Sequence, residues 1–357
     1  MDLDLSAEQH AIRDELRAFL AEEPGVADGV RRFAERGWLA LAAGVDSPRG
    51  IFALALLFEE IGRAAWPGPL INGVVESGRV VAGLDREKCH ADALLGITSG
   101  QRNFAFCFRD PSGSTELESL ALRAEDVKDG FVVHGKAGFV PHAQDADELM
   151  VVARSESRND GVSVFRIHAR SPGIAFESLE TIFDDESCDV VFDDVRVPGS
   201  GLIGPRGGAW PAIEDVLGIA TLARCAETLG DAEAALTIAV DYAARREQFG
   251  QPIGAFQALQ HQAADRKVDV DACRLAVYEA ASRIDAGLPA EEAVASAALI
   301  CGEAAPRVAA TAHQIHGAIG YYADSPLEQH TRRIQHAVLR LGSAASRLDR
   351  IAGLAGL

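Results

Sequence analysis

One stretch in the second half of the chain gathers residue types that can bind a nucleotide. It runs from Arg246 to Gln257 and reads REQFGQPIGAFQ. An arginine fork can hold a diphosphate through two parallel hydrogen bonds, an aromatic ring can stack on a base, and an amide can bond the edge of adenine. The same letters also suit an amphipathic helix that ends in a Gly-Gln-Pro turn, with Arg246 on the surface.

Two further segments help to decide between a nucleotide-binding segment and an ordinary helix end. The first, QIHGAIG, runs from Gln314 to Gly320 and is followed by Pro326 and the basic pair Arg332-Arg333. By itself it would suit a glycine-rich loop between helices. The second, FEEIGR, starts at Phe58 and precedes Pro67 by a few residues. The three segments together are a more specific signal than any one of them.

Taken together, these segments resemble the acyl-CoA dehydrogenase family, in its order and at its spacing. The first matches R-x-x-F-G-x-x-I-x-x-F-Q, the second resembles the turn Q-x-x-G-G-x-G, and the third resembles part of the N-terminal helical domain. The resemblance implies an acyl-CoA thioester substrate and an FAD of the neighbouring subunit, whose pyrophosphate and adenine these turns would hold. The residues that it implies for cofactor binding are Arg246, Gln248, Phe249, Ile253, Phe256, Gln257, Gln314 and Gly317.

The catalytic base of that family has no counterpart at its usual positions. The implied reaction is α,β-desaturation, in which a carboxylate removes the α-proton while the β-hydride leaves for the flavin. The family's glutamate positions correspond to Ala220 and Leu341, and neither side chain can accept a proton. Glu227 lies seven residues after Ala220 on the same helical face, about 10 Å further along. It is a weak candidate for a relocated base, and an ion-pair role in the bundle is the alternative.

The segments that correspond to the family's flavin-ring site also depart from its pattern. Where the family has a Thr/Ser-Glu-Pro segment, this chain has Arg109-Asp110-Pro111 after Phe108. Where the family has Trp-Ile-Thr, this chain has Phe139-Val140-Pro141. Phe139 could still stack on a ring, but Pro141 offers neither a hydroxyl nor an N–H group. The sequence thus predicts an intact half-site for a neighbour's FAD and an eroded site for a ring of its own.

This asymmetry leads to a hypothesis about the subunit type. Some actinobacterial acyl-CoA dehydrogenases that act on steroid side-chain thioesters are α2β2 heterotetramers, in which the α subunit carries the base and the β subunit completes the ADP half of the site. The chain is most similar to such a β-type subunit, with an electron-transferring flavoprotein as acceptor. The alternatives are a self-sufficient homotetramer with a relocated base, an oxygenase or halogenase of the same fold, and a non-enzymatic scaffold.

Composition places limits on partners and location. The 357 residues suffice for two or three domains, and 48% are hydrophobic and 24% charged. The net charge of −19 and the pI of about 4.9 argue against nucleic acid and anionic membranes as partners. Six scattered cysteines without a CxxC pair argue against a disulfide framework or a metal site. Without a recognisable signal peptide or an uncharged apolar run of bilayer length, we expect a cytoplasmic protein.

The apolar periodicity predicts the positioning elements. Ser6 opens a capping box, and helices are expected there, over Phe52–Ile61 and over Val74–Val81. Short β-prone runs separated by turn signals follow. Four long helices are expected after Gly207. The predicted fold class is α+β and acyl-CoA dehydrogenase-like. Its predicted domains are an N-terminal α-helical domain (1–102), a central antiparallel β domain (103–205) and a C-terminal four-helix bundle (206–357) with the FAD ADP-side and oligomer contacts.

Overall fold

The computed structural model describes seven stretches of the chain: residues 5–22, 25–45, 49–114, 116–155, 161–183, 185–322 and 325–356. The chain divides into two compact units, and each is described by itself. Unit 1 comprises Met1–Pro24, Arg49–Trp66 and Thr221–Leu357. Unit 2 comprises Gly25–Pro48 and Pro67–Ala220.

Eleven helices lie in the described stretches. They are α1 Ala7–Leu20, α2 Val26–Glu35, α3 Trp38–Ala42, α4 Gly50–Arg63, α5 Ser77–Leu84, α6 Ala91–Thr98, α7 Trp210–Arg245, α8 Gln257–Asp285, α9 Glu291–His316, α10 Pro326–Leu341 and α11 Ala344–Ala355. The predicted capping box at Ser6 is present: its hydroxyl accepts a bond from the Gln9 amide at 3.2 Å, and the Gln9 side chain accepts one from the Ser6 amide at 2.8 Å. A single π-helical turn, Ile71–Glu76, precedes α5.

Unit 2 contains an eight-stranded sheet. Its strands are β1 Phe104–Cys107, β2 Arg123–Val127, β3 Gly130–Val140, β4 Glu148–Arg154, β5 Val162–His168, β6 Ile174–Ser178, β7 Cys188–Pro198 and β8 Leu202–Ile203. The order is β6-β7-β3-β2-β4-β5-β8, with β1 paired to β4. The sheet is mixed rather than wholly antiparallel, because β4 runs parallel to β1 and, at one pair, to β2. Strands that are not joined by a hairpin are free to pair in either direction.

The helical part of unit 1 differs in one detail from the predicted four-helix bundle. The last predicted helix breaks at Gly342, whose φ of +89° ends α10, and α11 follows as a separate element. By length and composition, Glu291–Tyr321 would be apolar enough to cross a membrane, but more than half of it is buried in the protein, as in the core helix of a bundle. The helix–sheet–helix architecture is confirmed, whereas the boundaries at residues 102 and 205 stay a prediction.

A close crossing of α4 and α7 sets the geometry within unit 1. A Cβ atom on Gly62 would lie 1.9 Å from the carbonyl oxygen of Glu227, and one on Gly230 would lie 1.9 Å from that of Glu59. Real Cβ atoms do not approach so closely, so both positions need glycine for the helices to touch through their backbones. The crossing fixes the stretch of α7 that carries Glu227.

Candidate functional site

The REQFGQPIG segment forms a tight hairpin directly after α7. Its strands are β9 Glu247–Gln248 and β10 Gln251–Pro252, with Gln248 opposite Gln251. The two turn residues, Phe249 and Gly250, have φ values of +55° and +81°, which are the signs of a type I′ turn. Glycine tolerates this conformation, but at a bulky residue it costs about 1–2 kcal/mol. The strained turn leaves the Phe249 ring 92% exposed.

Backbone bonds and apolar packing attach the hairpin to the bundle. The carbonyl of Arg246 accepts a bond from the Ile253 amide at 2.8 Å, and the Gln260 side chain donates to the Gly254 carbonyl at 2.9 Å. The Ile253 side chain packs against an apolar cluster on α7, α9 and α10. The cluster consists of Ala235, Ala239, Ala243, Ala312, Ile315 and Leu327. The backbone is thus satisfied internally, and the helix does not continue through the segment.

Several side chains predicted to bind the cofactor point away from this anchored backbone. Arg246 and Gln257 are exposed, and the Arg246 guanidinium makes no ion pair with the residues that the structure describes. Gln248 is also exposed, whereas Ile253 and Phe256 are half-buried. Phe256 lies edge-on to Phe249 at 6.1 Å between ring centroids. Four of the six predicted residues in this segment therefore present polar or aromatic groups to an external ligand, and the other two support the turn.

The glycine turn lies next to the hairpin in unit 1. α9 ends at His316, and Gly317 follows with a φ of +64°, so that Gln314 and Gly317 are exposed. The buried His316 ring stacks on Tyr242 of α7 at 4.3 Å, and its Nδ1 donates to the Ala312 carbonyl at 2.9 Å. The His316–Tyr242 stack connects the two turns. Tyr242 was missed from the sequence, although it lies one helical turn before Arg246.

A second histidine supports the glycine turn from within. His313 is buried, its ring stacks on Tyr321 at 4.3 Å, and its Nε2 lies 2.8 Å from the Thr331 hydroxyl. Burial, followed by the nearby His316, lowers the pKa of His313 below its usual range. A neutral ring therefore holds this turn at physiological pH.

Neither of the two family base positions carries a carboxylate in the structure. Ala220 on α7 is only 2% exposed, and Leu341 is the half-buried last residue of α10. A main-chain carbonyl or a methyl group does not accept the α-proton of a thioester.

Glu227, the candidate for a relocated base, is held in a buried ion-pair network. Its Oε1 lies 2.6 Å from Nη2 of Arg333, whose Nε lies 3.0 Å from Asp231. Asp231, 1% exposed, also lies 2.7 Å from Nδ1 of His330, and Arg333 donates to the Trp66 carbonyl at 3.2 Å. Although burial opposes its charge, the Asp231 and Glu227 carboxylates raise the pKa of Arg333. The arrangement matches the ion-pair alternative for Glu227.

The two segments matched to the flavin-ring site lie against each other in unit 2. The Gly138 amide donates to the Arg109 carbonyl at 2.9 Å, and a Cβ on Gly138 would lie 2.5 Å from the Asp110 carbonyl oxygen. Phe139 follows with a φ of +52° and is 37% exposed, and its amide donates to Asp189 at 3.1 Å. The chain thus brings the two segments together but uses their backbone groups for mutual contacts.

Aromatic packing occupies the interior next to these segments. Phe108 is buried, with ring centroids 6.0 Å from Phe106 and 6.1 Å from Trp210. Pro141 follows β3 directly and has neither an N–H nor a hydroxyl to donate. A flavin ring needs hydrogen-bond donors at its edge, and this position supplies none.

The chain is similar in sequence to known proteins over most of its length. Residues 207–354 match the family described as acyl-CoA dehydrogenase, C-terminal domain. A short-chain specific acyl-CoA dehydrogenase from Megasphaera elsdenii is 30% identical over 245 residues, which is 67% of this chain and 64% of that protein. A 3-(aryl)acrylate reductase from Clostridium sporogenes is 26% identical over 331 residues, 88% of this chain and 86% of that protein.

Solved structures with the same fold cover nearly the whole chain. A glutaryl-coenzyme A dehydrogenase in complex with glutaryl-CoA has a TM-score of 0.91 at 27% identity, covering 99% of this chain and 96% of that one. A variant of the Tcur3481–Tcur3483 steroid ACAD has a TM-score of 0.84 at 27% identity, covering 98% of both chains. The ChsE4–ChsE5 complex from Mycobacterium tuberculosis has a TM-score of 0.86 at 24% identity, covering 99% and 98%; this last likeness concerns the fold alone.

Proposed function

The chain belongs to the acyl-CoA dehydrogenase family, whose members use FAD, and on that premise we propose that it is the β-type subunit of an α2β2 enzyme. It completes the FAD site of an α subunit, and the α subunit binds the acyl-CoA thioester and supplies the base for α,β-desaturation. The observation that carries the proposal is the absence of a carboxylate at both family base positions, Ala220 and Leu341. Without a positioned base, such a reaction slows by about 10²–10⁴-fold.

The state of Glu227 supports this assignment over a relocated base. Its carboxylate is paired with the buried Arg333, which also pairs with Asp231. The charge-assisted hydrogen bond to Arg333 holds this carboxylate within the bundle. Moving Glu227 towards a substrate would leave the Arg333 charge less compensated in a buried position.

The exposed turns of unit 1 fit the ADP half of FAD. Arg246 offers a guanidinium fork without an acidic partner among the described residues, which suits a diphosphate. Phe249 offers an open ring face for stacking, and the exposed Gln257 and Gln314 offer amides for hydrogen bonds. When bound, FAD accepts the hydride; the residues of this chain hold its nucleotide end and orient it.

The loops of unit 2 do not fit the ring half of FAD in the same way. Pro141 lacks a donor, and Gly138 and Phe139 direct their amides to Arg109 and Asp189. If the α subunit holds the flavin ring, a β-type subunit needs the ADP half-site and does not need a ring half-site of its own.

One related structure supports a bulky substrate and a paired assembly. It is the Tcur3481–Tcur3483 steroid ACAD, which is 27% identical to this chain. For this chain we propose a steroid or fatty acyl-CoA as substrate of the complex. We also propose an electron-transferring flavoprotein as acceptor and a cytoplasmic location.

Co-expression tests the proposal directly. The chain would be purified alone and together with an acyl-CoA dehydrogenase encoded beside it, and both samples examined by native mass spectrometry and visible absorbance. We expect a colourless lone chain and a yellow, active α2β2 complex. A lone chain that holds stoichiometric FAD and desaturates an acyl-CoA would overturn the proposal.

A pair of neighbouring arginines provides a matched control within the complex. Arg246→Ala should weaken FAD retention by about tenfold or more, the effect of losing a charge-assisted contact to a diphosphate. Arg245→Ala removes an equally exposed arginine whose Nε donates to the Asp241 carbonyl at 3.1 Å, and it should leave FAD content unchanged. Equal FAD loss in both variants would argue against a specific role for Arg246.

A further inference from the structure

A large cavity in unit 2 is not used by the proposed function. Its volume is about 990 Å³, and its walls come from the end of α5, the loop that follows it, the segment around β8 and the start of α7. This volume matches the upper range of small-molecule sites. Apolar side chains form part of the wall, among them Leu84, Leu202, Val216 and Ile219.

One cationic side chain in this wall lacks an acidic partner. Arg79 on α5 is half-buried, and its Nε and Nη2 donate to the carbonyls of Ala42 and Leu41 at 2.9 and 3.0 Å. None of the described residues accepts a hydrogen bond from its Nη1 or forms an ion pair with it. A partly desolvated charge without a counterion is unfavourable, and pairing with an anion reduces that cost.

The protonation of Arg79 agrees with this isolation. Burial lowers the pKa of Arg79 to about 10, and no neighbouring carboxylate opposes that effect. The guanidinium is nevertheless charged at neutral pH. A mobile anion would therefore meet a positive and poorly hydrated group.

The acidic groups that line the cavity either accept hydrogen bonds from the protein or are exposed to solvent. Asp85 accepts bonds from the amides of Cys89 and His90, at 2.9 and 2.7 Å. Glu87 and Asp215 are exposed, where water and salt screen them. The cavity also reaches the first turn of α7, where the helix dipole favours negative charge.

We propose that this cavity binds a small amphiphile with one acidic headgroup, a carboxylate or a phosphate ester. The headgroup pairs with Nη1 of Arg79, and the apolar body lies along Leu84, Val216 and Ile219. The site consists of residues of unit 2 alone, and the proposal does not depend on the subunit type of the chain.

Isothermal titration calorimetry on the full-length chain tests the charge requirement. The probes are decanoate, decyl phosphate, uncharged decanol and inorganic phosphate. We expect one equivalent of decanoate or decyl phosphate to bind at least about tenfold more tightly than decanol, the effect of one charge-assisted hydrogen bond. Whichever of the two anions binds more tightly identifies the headgroup. Decanol binding as tightly as both anions would overturn the proposal, as would a chain that binds neither anion.

Three variants locate the binding within the cavity. Arg79→Met should weaken decanoate binding about tenfold without changing decanol binding. Arg86→Met, at an exposed arginine of the same wall, should leave both unchanged. Gly83→Trp fills the cavity from a helical position where an added Cβ meets no atom within 4 Å, so the fold is kept and binding should disappear. Undiminished decanoate binding to Gly83→Trp would place the ligand elsewhere and overturn the assignment, even if Arg79→Met failed to fold.

Discussion

The turns of unit 1 leave side chains exposed to a ligand, whereas the loops of unit 2 use their backbone groups for hydrogen bonds within the protein. In the hairpin, the backbone is satisfied internally by the bond between Ile253 and Arg246, and side chains such as Phe249 are left outside. In the loops, Gly138 bonds to Arg109 and the Phe139 amide bonds to Asp189. A preformed backbone with unused side chains can bind a ligand, whereas loops that satisfy each other have little left to offer one.

The largest expected effect concerns the network that restrains Glu227. Arg333→Met should destabilise the chain by about 3–5 kcal/mol, because it leaves the buried Asp231 carboxylate without its strongest partner. Chemical denaturation measures this difference. Arg332→Met is the control: that side chain is exposed and pairs, within the described part of the chain, with Glu328 alone, so its loss should cost about 1 kcal/mol or less. If both variants lose the same small amount of unfolding free energy, Arg333 does not restrain Glu227, and the carboxylate is available as a base.

The next effect concerns the exposed ring of the hairpin. Phe249→Ala should weaken FAD retention by the complex about tenfold, within the range for a lost base–aromatic stack. The unfolding free energy of the lone chain should change by no more than about 1 kcal/mol, because the ring has few contacts and the turn remains strained. Glu247→Ala, at the exposed neighbour in β9, is the control. FAD absorbance after gel filtration reports the result, and an unchanged spectrum for Phe249→Ala would remove the ring from the site.

A smaller effect is expected at the Asp92–Arg166 ion pair, which tests whether unit 2 is well folded apart from its ring-side loops. Asp92 bonds to Arg166 through two contacts of 2.8 Å, and Arg166, with Arg102, holds the pKa of Asp92 well below its usual range. The pKa of Asp92 is lower in the folded than in the unfolded protein. Its contribution to the free energy of unfolding is therefore fully present above the unfolded pKa of about 3.9, and it is lost as the pH falls below that value. Because Asp92 is largely exposed, Asp92→Asn should cost only about 1 kcal/mol at pH 7.

Urea denaturation at pH 7, 5 and 3 follows this contribution. The difference between wild type and Asp92→Asn should persist at pH 5 and shrink at pH 3. Asp126→Asn, at an exposed partner of Arg206, is the comparison and should show a smaller difference at every pH. A difference that grows towards acid pH would contradict the sign of the shift.

The smallest expected effect is at the ring-side loop itself. Pro141→Thr restores a hydroxyl where the family has one, yet the lone chain should remain colourless. The reason is that Gly138 and Phe139 would still bond to Arg109 and Asp189. Visible absorbance of the purified variant gives the answer. A yellow lone chain would show that one missing hydroxyl, rather than the packing of both loops, accounts for the difference between the two regions.

The sequence predicted those elements whose residues repeat at a regular spacing. The buried face of α1, made of Ile12, Leu16, Phe19 and Leu20, was expected and is found. The strand β2 was not expected, because Arg123–Val127 has only one buried residue and therefore no alternating pattern. The break at Gly342 was also missed, since an isolated glycine within a helical pattern does not by itself end a helix.

The geometry of the hairpin depends on residues that are close together in the sequence. The hairpin lies within one twelve-residue segment, and its Phe-Gly turn selects the geometry locally. The partner of Glu227 was not predictable, because Arg333 lies 106 residues further along and is brought close only by helix packing. Likewise, no local pattern indicates that Phe108 packs against Trp210.

The sequence alone therefore determined the family, its FAD chemistry, and the missing carboxylates at residues 220 and 341. These follow from residue identity at fixed spacing, which local backbone preferences and side-chain chemistry already constrain. The tertiary structure decided that Glu227 is paired, that the loops at Gly138 and Arg109 bond to each other, and that Arg79 lines a cavity without an acidic partner among the described residues. Such facts depend on which distant groups share a buried space, and only the packed chain fixes that.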